Sequence, residues 1–244
     1  MKSILLLFFL LISVLANCQT SKPGADSLII PSVNREWNFF EFAEVYKLLV
    51  VSQNGAPGGI ISIENNAPLI AKLTNIESYW FLNSKDYTIA DRINFCDSLQ
   101  KASKKIFLNY YQKSKLVNGR GSYEREIVGF VDIMLKVTEI ETGIVDEVLK
   151  AQPSLTQKQT DGLKQFVQGA TTMESGALYT LEKEYKYYSE ASLCKLSRSF
   201  KEFYTVFYSK LDADVKTEFD RRIASMINTH PVPCVRTGLQ GEKK

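Results

Sequence analysis

Few residues in this chain can do chemistry, and their spacing limits what they can do. His230 is the single histidine. It stands beside Pro231 and four residues before Cys234, whereas a transition-metal site ordinarily assembles three or four such ligands. The Glu-x-x-His pairs that hold two irons inside helical bundles are missing, as is the Cys-x-x-Cys-His of a covalently held haem. No metal and no cofactor is expected. Ser/His/Asp hydrolysis would have to draw on His230, and Gly-x-Ser-x-Gly is absent. Asp132, Glu139 and Asp146 need no histidine. They recur every seven residues, on one face of a helix, where a glycosidase-like acid/base pair would sit. Lys136 and Lys150, four residues beyond Asp132 and Asp146, supply the plainer account of exposed ion pairs. Tyr187, Tyr204 and Tyr208 fall outside the apolar stripes of their segments and form a candidate interaction patch, against the plainer account of ordinary surface tyrosines.

The element that must position any site is the stretch 161–188, built around Gly162, Gly169 and Gly176 at seven-residue intervals. Leu163, Phe166, Ala170, Met173, Ala177, Leu178 and Leu181 accompany them at helical spacing. Each interior glycine costs a helix about 1 kcal/mol relative to alanine, so three in register ask for a reason. The expectation is close packing: a neighbouring helix presses on the bare backbone. The alternative is a cavity for a ligand beside Gly169 and Gly176.

The remaining helices follow from periodicity and punctuation. Residues 36–52 form one, stopped by the Asn/Gly/Pro-rich run 54–59. Asn66 caps a second, with Pro68 in its first turn, running to about residue 82. Ser84 or Asp86 caps a third, which reaches Leu116. A fourth runs from Ser122 to Pro153, with Ile127, Val131, Met134, Val137 and Ile144 inward. After the glycine helix, Ser189 caps a sixth and Asp212 or Asp214 a seventh, which stops at His230-Pro231. The short run 60–63 has no partner strand. The fold expected is all-α: an up-and-down antiparallel bundle of about six to seven helices.

Residues 4–15 are apolar apart from Ser13 and follow the basic start Met1-Lys2. That run is shorter than the ~20 residues of a bilayer span and suits a secretory signal peptide. Cleavage after Cys18 would leave small Ala16 and Cys18 at the usual positions. Alternatively, Leu15-Ala16-Asn17-Cys18 resembles a bacterial lipobox, which implies acylation of Cys18 and an outer-membrane anchor. Asn17 stands where such motifs carry a small residue, so plain secretion is preferred. The organisation expected is a signal at 1–18, a flexible leader at 19–34, one helical domain at 35–234 and a disordered tail at 235–244.

Export makes a disulfide favourable. From Cys194 to Leu211 is ~25 Å of helix, and from Ala213 back to His230 is the same. The hairpin therefore returns the tail level with Cys194, and Pro231-Val232-Pro233 carries Cys234 across to it. A Cys194–Cys234 bridge follows, leaving Cys96 free on a core stripe. The formal net charge of +3 is too slight for a nucleic-acid surface. Together these features imply an exported, non-catalytic binding or interaction module whose partner is an unidentified protein. A carrier of a small apolar ligand and a carboxylate-dependent hydrolase are the alternatives. Membrane contact is expected only through a lipid on Cys18.

Overall fold

The computed structural model describes residues 30–53, 66–116, 120–152 and 154–240. The 1–18 signal with Cys18, the leader up to residue 29, the 54–59 stop and the 60–63 run lie outside them. Every regular element among the described residues is helical: α1 Phe39–Gln53, α2 Ala67–Leu73, α3 Ile89–Leu116, α4 Glu124–Ala151, α5 Gln157–Lys183, α6 Glu190–Phe207, α7 Ala213–Thr229 and α8 Pro233–Gln240, joined in places by 3-10 turns. No strand occurs among them, and the described residues from Pro31 onward form one compact unit. The fold is an all-α helical bundle.

Cap chemistry sets the boundaries. Asn66 accepts a hydrogen bond from the Leu69 N–H and Ser189 from the Ser192 N–H, each satisfying a free first-turn donor. Helix α3 opens later than Ser84 or Asp86. Thr88 Oγ1 accepts from the Asp91 N–H while Asp91 Oδ2 accepts from the Thr88 N–H, a reciprocal box. The single helix expected over 66–82 breaks after Leu73. There Asn75 takes an extended backbone, its side chain accepts from the Glu77 N–H, and a 3-10 segment, Ile76–Leu82, follows. Asparagine so placed offers the backbone a cap instead of another turn.

Helices α3 to α7 alternate in direction. Gln100 meets Thr138 and Glu141 while Tyr110 stacks near Tyr123, so α3 and α4 are antiparallel. Phe166 meets Phe207 across α5 and α6, and Tyr204 meets Asp220 across α6 and α7. The hub is α4, flanked chiefly by α3 and α6. Its residues 130 to 135 are all buried, including Asp132, so it has neighbours on every side there. Gly129 lets it in: a Cβ there would lie 2.8 Å from Thr74 Cγ2, and Thr74 is held by its Oγ1 donating to the Ile70 carbonyl.

The tail expected to be disordered is ordered as far as Gln240. Helix α8 buries Val235 and Leu239 completely against α6 and α7, and Gly238 fits over Ser197 where a Cβ would lie 2.3 Å from its Oγ. Two apolar residues four apart, placed by the Cys194–Cys234 disulfide, are enough to dock this short helix. His230 is likewise no surface residue. It is buried, with Nε2 donating to the Leu181 carbonyl and Nδ1 accepting from the Val232 N–H, and so fixes the approach to α8.

The glycine ladder takes no part in packing. Gly162, Gly169 and Gly176 are exposed, and among the described residues nothing lies within 4 Å of a Cβ built on any of them. The core stripe of α5 is Ala170, Glu174, Ala177, Leu178 and Leu181. One residue step turns a helix by about 100°, so glycines directly preceding Ala170 and Ala177 look away from the core. Opposite effects are expected at the two kinds of glycine. Gly162→Ala should raise unfolding stability by about 1 kcal/mol, since it adds helix propensity in open space. Gly129→Ala should lower it by roughly 1–2 kcal/mol, because Thr74 has little room to give. Urea unfolding of both variants distinguishes these from a uniform propensity effect, which would stabilise both.

Candidate functional site

Beside the exposed glycines, α5 stands away from α3, and the two helices with α4 as floor enclose a partly open groove of about 330 Å³. Helix α3 contributes Phe107 and Leu108 at one end and Gln100, Lys101 and Lys104 at the other. The floor is Val131 and Met134 of α4. From α5 come Thr172, Met173 and Ala177, with the bare backbone at Gly169 and Gly176 between them. Most of this lining is apolar.

The polar end is organised from α4. Gln100 Nε2 donates to Thr138 Oγ1 at 3.0 Å and to Glu141 Oε2 at 2.7 Å, and Thr138 Oγ1 donates to the Met134 carbonyl. Burial, with Asp97 adding to it, pushes the Glu141 carboxyl up to about 8. Outside it, Lys101 pairs with Asp97 at 3.8 Å, both side chains well exposed. Lys104 is exposed on the rim and has no ion pair among the described residues.

The carboxylates Asp132, Glu139 and Asp146 are not gathered into a site. Asp132 is buried and paired with Lys195 Nζ of α6 at 2.7 Å; the contact is charge to charge, without an aligned hydrogen bond among the described residues. Asp146 pairs with Lys210 from the end of the α6 hairpin. Both partners come from the parallel helix α6 and its end, not from Lys136 and Lys150, because this face of α4 looks into the bundle. Glu139 is half-buried, and burial with Glu202 nearby pushes its carboxyl up. Of the tyrosines, Tyr187 and Tyr208 are exposed. Tyr204 is buried and donates to Asp220 Oδ1 at 2.8 Å, while Tyr208 donates to Oδ2 at 3.0 Å.

Cys194 and Cys234 are bridged with Cα atoms 5.3 Å apart, and Cys96 is buried and free. Glu190 brings a carboxylate oxygen within 4.8 Å of both bridged sulfurs, but with the sulfurs bonded to one another no thiolate is offered to a metal. Among the described residues no helix is long and apolar enough to cross a membrane.

The groove was half legible in sequence. Gly169 and Gly176 mark its wall, but Met173 reads as ordinary core, and Gln100, Lys104 and Leu108 carry no sequence signal of a site. Comparison with protein-family models, curated proteins and solved structures finds nothing that matches this chain.

Proposed function

We propose that the protein is an exported binding protein that holds a small, largely apolar molecule in the groove between α3, α4 and α5. The observation that carries this is the groove itself: about 330 Å³, lined by Phe107, Leu108, Val131, Met134 and Met173. Its volume lies at the lower end of small-molecule sites, which are mostly apolar with few polar groups. It also supplies a reason for two of the ladder glycines, since side chains at Gly169 and Gly176 would project into space a ligand needs. An interaction module would draw support from a sealed glycine seam, and the exposed ladder removes that support. Carboxylate hydrolysis finds Asp132 and Asp146 committed to separate lysines.

Export is supported by the apolar run at 4–15 and by a disulfide of the kind that persists in oxidising compartments. Secretion is preferred over acylation of Cys18.

Titration of the full chain with Nile red, a neutral dye that brightens and shifts to the blue out of water, tests the reading. One saturable site per chain, displaced by decanol, is expected. A dye response that is absent, or that rises without saturation, would contradict it.

A further inference from the structure

Resting on that groove reading, we infer that the ligand is a single-chain amphiphile with an anionic head, its head at the Lys101–Lys104 rim and its tail running toward Phe107 and Leu108.

The groove has a direction. Helices α3 and α5 run parallel: Gln100 shares Thr138 with Met173, and eleven residues further along both helices Tyr111 donates to Glu184. The stretch from residue 100 to 108 of α3 is ~12 Å long, and its polarity changes along that length. The first turn presents Lys101 and Lys104, whereas the last presents Phe107 and Leu108 over Val131, and no charged side chain lines that far end. An amphiphile has that same profile.

Charge decides the head group. Lys104 has no ion pair among the described residues, and Lys101 shares its charge with Asp97 only across an exposed 3.8 Å contact. The other acid at this end, Glu141, is buried beneath Gln100, and its raised affinity for a proton leaves it largely neutral at pH 7. The rim is therefore net positive. A carboxylate or phosphate there gains charge-assisted hydrogen bonds from two ammonium groups one turn apart. A neutral head gains less, and a cationic one is repelled.

Length decides the tail. The groove is about 330 Å³ and runs ~12 Å between residues 100 and 108 of α3, a length that suits one chain of about ten carbons.

Competition against bound Nile red tests this, using decanoate, decyl phosphate, decanol and decyltrimethylammonium with the full chain. At least one of the two anions should bind about tenfold more tightly than decanol, and the cation more weakly than either; which anion leads separates a fatty acid from a phosphate-headed lipid. In K101M/K104M the ratio of anion to decanol affinity should fall toward one. Decanol binding as tightly as both anions, or a ratio unchanged in the double variant, would overturn the inference while leaving the groove reading standing. Binding of no decyl compound would overturn both.

Discussion

Replacing Cys194 and Cys234 together by serine should lower the unfolding free energy by about 4 kcal/mol and the melting temperature by roughly 10 °C. The bridge spans 40 residues of sequence, enclosing α6 from its second turn, α7 and the return to α8. Cross-linking so long a loop removes much of the freedom of the unfolded chain. The native state offers little resistance to the bridge, because α8 is already held by Val235, Leu239 and the His230 hydrogen bonds. Those contacts should keep the double variant folded at low temperature. Calorimetry of the two forms is the measurement. A shift of less than about 2 °C would mean that the unfolded chain keeps the hairpin closed without the bridge.

Stability should also fall as the pH rises from about 4.5 through about 8, and Glu174→Gln should abolish much of that fall. Glu174 is fully buried on the core stripe of α5, and neither carboxylate oxygen has a hydrogen-bond partner among the described residues. Burial alone pushes its carboxyl from 4.5 up to about 8. A group whose folded value is raised holds its proton more tightly in the native state. Its contribution is complete below 4.5 and is lost as the pH climbs through the folded value. Ionised, Glu174 would put an unpaired charge against α6, near Tyr204, whose own phenol is pushed up chiefly by burial and also by Asp220. The loss is on the order of 5 kcal/mol for Glu174, and Glu141 acts in the same direction from beneath Gln100. Glutamine copies the shape of the protonated acid without titrating. E174Q should therefore match the parent near pH 4.5 and exceed it at pH 9, by denaturant unfolding at both. Equal stability of the two at pH 9 would show that Glu174 reaches water or a partner when ionised.

Local chemistry was the legible part of this fold. Asn66 and Ser189 cap helices because side-chain acceptors at those positions act within a few residues, and the Cys194–Cys234 bridge follows from helix rise alone. The all-α class followed from periodicity. Properties of the assembled bundle were hidden. Helix α4 has the amphipathic pattern of a flanking helix, yet it is the hub: Asp132 faces the charge of Lys195, and Glu141 accepts from Gln100, each partner coming from another element. A buried polar residue with a distant partner looks, in sequence, like an exposed one. The glycines show the same limit in phase. Their seven-residue spacing is genuine, but whether that stripe faces core or groove turns on a rotation of about 100° that Ala170 and Ala177 settle only once α6 is in place. Helix α8 escaped because eight residues with one glycine are too short to announce themselves. They are helical because α6 and α7 receive them.

Of the four methionines, Met134 and Met173 line the groove, while Met226 is buried on α7 and Met1 begins the chain. Labelling their methyl carbons and titrating the full chain with decanol, followed by NMR, asks the groove question most directly. The Met134 and Met173 methyl signals should shift together and saturate at one decanol per chain, with Met226 unmoved. Binding that leaves Met134 and Met173 in place would put the ligand elsewhere and contradict the assignment of this groove.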